Sequence, residues 1–232
     1  MTRTALRPLL SNPALRLILL IGIAIAALQP FDKLFSALTL SSPWLRMAWI
    51  AVLVVLGALA GAKLGLRLEG HSARAPVLVG LGAALAVAIY VVLLDCFVFR
   101  SLLDPGYAAF LHQPLQARLL YFMPRAFNEN IMYRLFGFGG LAWLLSRGGR
   151  RPASPRVLAA AMIGSQLINI AFNVVLLSHV PVTALTLTYD ALRYVLPGVL
   201  WAILYIRNGF ATAEVASVGC HLFLQPAFSL LI

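Results

Sequence analysis

Acidic side chains are scarce in this chain: Asp and Glu number 7 in 232 residues, against 18 Lys and Arg. Charged residues of either sign reach only 11%, hydrophobic ones make up 62%, and mean hydropathy is +0.92. Too few polar side chains remain to cover a folded surface in water. That excludes a soluble globule and leaves a polytopic membrane protein of all-α class. Cysteine is sparse as well. Cys96 and Cys220 lie in apolar segments with no pairing or metal-ligand spacing, so a disulfide framework is excluded and both read as packing residues. Internal repeats, low-complexity tracts and soluble modules of useful size are also missing, which places the function within a single membrane domain over residues 1–232.

What the chain does have is long apolar runs. A membrane-crossing helix needs about 20 mainly apolar residues, and seven segments qualify: 13–30, 44–62, 75–99, 117–145, 156–178, 189–206 and 212–232. The net charge of +11 has the size of a nucleic-acid footprint, but the basic residues sit in short loops beside these spans rather than on one soluble face. No nucleic-acid partner is expected. Arg3, Arg7 and Arg16 precede the first span. Lys63, Arg67 and Arg74 follow the second, Arg147, Arg150, Arg151 and Arg156 follow the fourth, and Arg207 precedes the seventh. These alternate segments fall on one side, opposite Lys33, Arg46, Arg100 and Arg118, which puts the N-terminus in the cytoplasm. Residues 17–26 also look like the apolar stretch of a cleavable signal peptide, although an uncleaved first span suits the charge alternation better. Arg outnumbers Lys sixteen to two, a habit of GC-rich bacterial genomes, so the expected location is a bacterial inner membrane.

Against this apolar background the polar residues inside the spans stand out. Glu129 lies in the fourth, in Phe127-Asn128-Glu129-Asn130-Ile131-Met132-Tyr133-Arg134. A carboxylate there costs a few kcal/mol unless it faces a cavity or a partner, so it marks a relay, a pathway or a reaction centre. Asn130 and Arg134 share a helix face, whereas Glu129 and Arg134 are about 140° apart and do not pair directly. Arg134 is free to bind backbone carbonyls, leaving Glu129 to hold water. The alternative is a purely structural clamp of Glu129 and Arg134 through Asn130. In the fifth span Gln166, Asn169 and Asn173 form a polar stripe at steps of three and four, which either glues helices together or lines a wet cavity. The seventh places His221 and Gln225 on one face. A buried His is commonly a hydrogen-bonded structural residue, but it is also the natural proton-handling partner of a glutamate. His112 and His179, each near a Pro in or beside a loop, read as interfacial.

In their order and placement, these elements over about residues 120–228 resemble the CAAX-protease and bacteriocin-processing (CPBP, Abi) family of intramembrane endopeptidases. Glu129 and Arg134 match the first Glu and the Arg of a Glu-Glu-x-x-x-Arg motif, with Asn130 in place of the second Glu. Asn169-Ile170-Ala171-Phe172-Asn173 stands where the family has Phe-x-x-x-His, and His221-Leu222-Phe223-Leu224-Gln225 where it has His-x-x-x-Asn. Residues 197–209 resemble its small-x-x-x-small helix, basic turn and Gly. The resemblance implies cleavage of a peptide or protein substrate at the membrane. Glu129 would be the general base on a water, His221 its partner, and Asn173 an amide donor to the oxyanion. Asn130, Arg134, Asn169 and Gln225 would bind substrate or support the site. With Asn173 replacing a His, Glu129 and His221 fall short of the three protein ligands of a catalytic zinc, so no metal or other cofactor is expected. Two other classes compete with the peptidase. One is a non-catalytic scaffold that binds and regulates another membrane protein, favoured by the three substituted motif positions. The other is a proton-coupled transporter, which the lack of repeated halves disfavours.

Overall fold

The computed structural model describes residues 11–28, 40–70, 74–146, 153–172 and 181–232, and all of their regular structure is helical. The first helices are α1 (Pro13–Leu28), α2 (Pro43–Leu64), α3 (Ala75–Leu93, extended by a π turn over Leu94–Val98) and α4 (Pro105–Leu111). Next comes α5 (Leu115–Asn130), which runs through a π segment at Ile131–Phe138 into Gly139–Leu145. Then follow α6 (Pro155–Ile170), α7 (Ala184–Asp190, a π turn at Ala191–Val195, then Leu196–Asn208) and α8 (Phe210–Leu231). Each apolar segment of the sequence is therefore helical wherever it is described. Two features differ from expectation: α4 occupies what reads as a loop, and α7 starts five residues before residue 189. Both starts are locally encoded. Asp104 accepts a hydrogen bond from the Tyr107 amide at 3.0 Å with Pro105 next to it, and Thr183 forms a capping box with Thr186.

Helices Pro43–Leu64 and Pro76–Val98 are long and apolar enough to cross a membrane. Large apolar side chains lie on the outside as well as in the core. Leu20, Leu78 and Phe97 are 67%, 70% and 66% exposed, whereas Asp95, Asn130 and Gln225 are 0% exposed. Apolar side chains thus cover the outside of several helices, and a set of polar side chains is enclosed within an otherwise apolar core.

Helix α8 lies against α3 and α5, while α2 packs on α1 and on the π segment of α5. The α2–α5 crossing depends on Gly57, because a Cβ there would sit 2.8 Å from both the carbonyl carbon and oxygen of Leu135. Backbone cannot yield as a side-chain tip can. Gly57→Ala should therefore cost about 1–3 kcal/mol and lower the thermal midpoint of the purified protein. Gly82→Ala, inside a helix and with nothing within 4 Å of the added methyl, should not lower it and should raise it slightly. At the α7–α8 turn Gly209 takes φ 90°, ψ 160°, a conformation open to glycine alone. There the amides of Phe210 and Ala211 donate to the carbonyls of Arg67 and Leu68 at 3.0 and 2.9 Å.

Candidate functional site

A cavity of about 560 Å³ opens between α3, α4, α5, α6, α7 and α8, within the size range of pockets that hold small ligands. Its walls include Glu129, Arg134, Asn169, His221 and Gln225, so five of the candidate residues from three separate spans meet on one space. Val87, Leu102, Tyr107 and Phe110 also line it, so α3 and α4, outside residues 120–228, complete the enclosure. Asn173 and His179 lie outside the described residues. His112 is exposed at the end of α4.

Glu129 is not the free carboxylate expected from the sequence. Arg125, one turn earlier on α5, donates from Nε to its Oε1 at 2.7 Å, and Arg125 Nη1 donates to the Tyr121 hydroxyl at 3.1 Å. Tyr121, Arg125 and Glu129 follow at steps of four, so one helix face builds the whole chain of contacts. The ion pair engages Oε1 alone, and the side chains of both partners remain about a quarter exposed, at 24% and 26%. Arg134, as expected, makes no ion pair with Glu129. Its Nη2 instead faces Gln166 Oε1 at 3.5 Å, on α6. A Cβ on Gly198 would fall 1.9 Å from that same Gln166 oxygen, so the glycine admits the Arg134–Gln166 contact between α5, α6 and α7.

Asn130 is absent from the cavity wall. It turns towards α8, where its Nδ2 donates to Glu214 Oε2 at 2.8 Å, and both residues are buried. The structural clamp of Glu129 and Arg134 through Asn130 is therefore not formed; Asn130 clamps a different acid. His221 stacks parallel to Phe122 of α5, with ring centroids 5.3 Å apart and 7° between planes. Its Nδ1 is buried with no hydrogen-bond partner among the described residues, as are both amide atoms of Gln225 one turn on. Buried polar atoms of this kind are normally satisfied. Here they lie just behind the cavity wall, closed off from a water-sized molecule. Cys96 and Cys220 are free and buried, and Cys220 forms part of the same wall.

Across the cavity lies a second charged centre that the sequence reading passed over. Asp95 from the π turn of α3 accepts from the Tyr189 hydroxyl at 2.8 Å and pairs with Arg193 Nη2 at 2.9 Å. The Arg193 guanidinium lies 4.6 Å from the Tyr107 ring centroid and 5.3 Å from that of Tyr194, and its Nη1 donates to the Tyr194 hydroxyl at 3.0 Å. Two of the basic residues read as loop charges opposite the cytoplasm also behave differently, whereas Arg100 is exposed and Lys33 lies outside the described residues. Arg118 is buried and bonded to Ser229, and Arg46 is buried with Nε donating to the carbonyl of Ala26 at the end of α1.

Among the described residues no group of three His, Cys, Asp or Glu side chains forms a metal site, and Glu129 and His221 alone do not make up a zinc ligand set. In comparisons with known proteins, no protein-family model, no curated protein and no solved structure matches the chain.

Proposed function

We propose that this protein is a multi-pass inner-membrane peptidase of bacterial type, resembling the CPBP endopeptidases, which cuts a peptide or protein substrate at the membrane. The observation that carries the reading is the convergence of Glu129 and His221, 92 residues apart in sequence, on one cavity. In this mechanism Arg125 fixes the carboxylate through Oε1, and the remaining oxygen takes a proton from a water that adds to the scissile carbonyl. Glu129 hands that proton on to His221, which delivers it to the amide nitrogen as the C–N bond of the adduct breaks. Asn169 offers an amide group to the peptide backbone, Gln225 supports the site one turn from His221, and Asn173 serves as the oxyanion donor. Exposed apolar helix faces and enclosed polar side chains support seven spans with lipid around them. The hydrogen bonds from Phe210 and Ala211 to Arg67 and Leu68 bring two basic segments to one end of the bundle, which supports a shared cytoplasmic side and a cytoplasmic N-terminus.

A second reading draws on a specific feature. Arg125 and Phe122 give Glu129 and His221 partners on α5 itself, as they would in a non-catalytic scaffold that binds and regulates another membrane protein. Mass spectrometry of membrane-associated peptides decides between the two. Uncleaved precursors should accumulate in cells carrying Glu129→Gln and not in wild-type cells. An unchanged peptide profile would leave the scaffold.

A further inference from the structure

Glu214 is buried on α8, and no Lys, Arg or His nitrogen among the described residues lies within 4.0 Å of it. Arg134, the cation on the neighbouring part of α5, reaches towards Gln166 instead. From α3 the facing residues Gly80, Leu81 and Ala84 meet α8 at Thr212, Val215 and Gly219, and none of them titrates. The single hydrogen bond of Glu214 is the one from Asn130 Nδ2 to its Oε2 at 2.8 Å. Its other oxygen, Oε1, is buried and has no donor. The Oδ1 of Asn130 is in the same position. Both orphan atoms are acceptors, and both belong to the two groups already joined by one bond. An ionised carboxylate here would meet the desolvation cost with one donor and no cation in contact, Arg134 acting on it only from beyond ion-pair distance. One proton on Oε1 resolves both deficits, because a carboxylic acid donates to the amide oxygen while its other oxygen accepts from the amide nitrogen.

We propose that Glu214 is held as a neutral carboxylic acid in a two-bond pair with Asn130, and that this pair is a latch which positions α5 against α8 at the cavity. Asn130 follows Glu129 directly. Glu214 precedes His221 by seven residues, two helical turns along nearly the same face and about 10 Å along the axis. Ser217 of the cavity wall lies between them. A latch at this point fixes the separation of the two side chains on which the peptidase reading depends. Glu214 is thus a positioning residue and touches no substrate. The positioning half rests on that reading, whereas the neutral pair does not.

Infrared difference spectroscopy of the purified protein in lipid, wild type against Glu214→Gln, tests the pair. A protonated carboxylic acid band should disappear in the variant. Loss of carboxylate bands in its place would overturn the neutral acid. Glutamine offers the same one-donor, one-acceptor edge to Asn130, so Glu214→Gln should keep the wild-type thermal midpoint and processing, and Glu214→Ala should lower the midpoint. Should Gln destabilise as much as Ala, the negative charge matters and the proposal fails. At a temperature where the Ala variant is folded, its processing should fall about 10²-fold, as a 1 Å misplacement of reacting groups brings. Unchanged processing there would remove the positioning role. If wild type itself processes nothing while the infrared band and the Gln rescue hold, the peptidase reading has failed and the latch stands.

Discussion

Glu129→Gln should lower substrate processing by about 10²- to 10⁴-fold, the contribution of a general base in a positioned proton transfer, with little change in stability. The substitution preserves shape and leaves an oxygen able to accept from Arg125 Nε, so the contact that now spans 2.7 Å becomes a neutral-acceptor hydrogen bond. Each partner is about a quarter exposed, which makes the ion pair a minor term in stability. Processing and folding should therefore separate. A scaffold gives the opposite pattern, with the bound partner retained and no processing to lose.

His221 provides the companion test. Its removal also strips Phe122 of a stacked neighbour, so His221→Ala alone mixes chemistry with packing. The double variant separates the two. If Glu129 and His221 act as one unit on a water, Glu129→Gln with His221→Ala should lose no more processing than the more damaging single change. Independent, multiplicative losses would mean that His221 contributes only through its stacking. Processing in cells, followed by the accumulated precursor, reads all three variants. Wild-type levels in both singles would end the peptidase reading.

The apolar helices were legible in the sequence because spans of this length need only an apolar run and a pair of boundaries, both visible in one chain. Glu129, Arg134, Asn169, His221 and Gln225 were legible for a related reason: a polar side chain in an apolar run has few places to go except a shared interior. The partners were not. Looking only downstream of Glu129 for i+4 neighbours overlooks Arg125, although Tyr121, Arg125 and Glu129 obey the same spacing upstream. Asp95 and Glu214 stand near the ends of their apolar segments, where an acid reads as a boundary. In the fold a π turn carries Asp95 inward to Tyr189 and Arg193, and the close α5–α8 contact encloses Glu214. Both depend on which helices become neighbours, and pairing between distant helices leaves no periodic trace in the sequence. Arg118 and Arg46 were misplaced for the same reason, since a basic residue beside a span looks identical whether it meets water, a hydroxyl or a helix end.

The largest loss of stability should come from Asp95→Ala. Asp95 is 0% exposed; its Oδ1 accepts from the Tyr189 hydroxyl at 2.8 Å, and its Oδ2, which has no hydrogen bond, lies 2.9 Å from Arg193 Nη2 as an ion pair. Removing the carboxylate leaves the guanidinium among the rings of Tyr107, Tyr189 and Tyr194 without its counter-ion, and breaking a buried pair from one side typically costs about 3–5 kcal/mol. Arg193→Met strands Asp95 and should cost a similar amount. The pair as a whole is a different matter, because its mutual attraction is largely offset by the desolvation of both charges. Asp95→Ala with Arg193→Met should therefore recover most of the loss, as the purified protein's unfolding free energy would show. Singles that each cost less than about 1 kcal/mol would put the pair in the class of solvated surface contacts. The outcome also bears on the cavity. The Tyr90 hydroxyl donates to the Leu192 carbonyl at 3.0 Å, a second tie between α3 and α7, so the wall has support beyond the ion pair. Processing that returns with stability in the double variant would mean that Asp95 and Arg193 only hold that wall. Processing that stays lost in a stable double variant would mean that the Arg193 guanidinium itself meets the substrate.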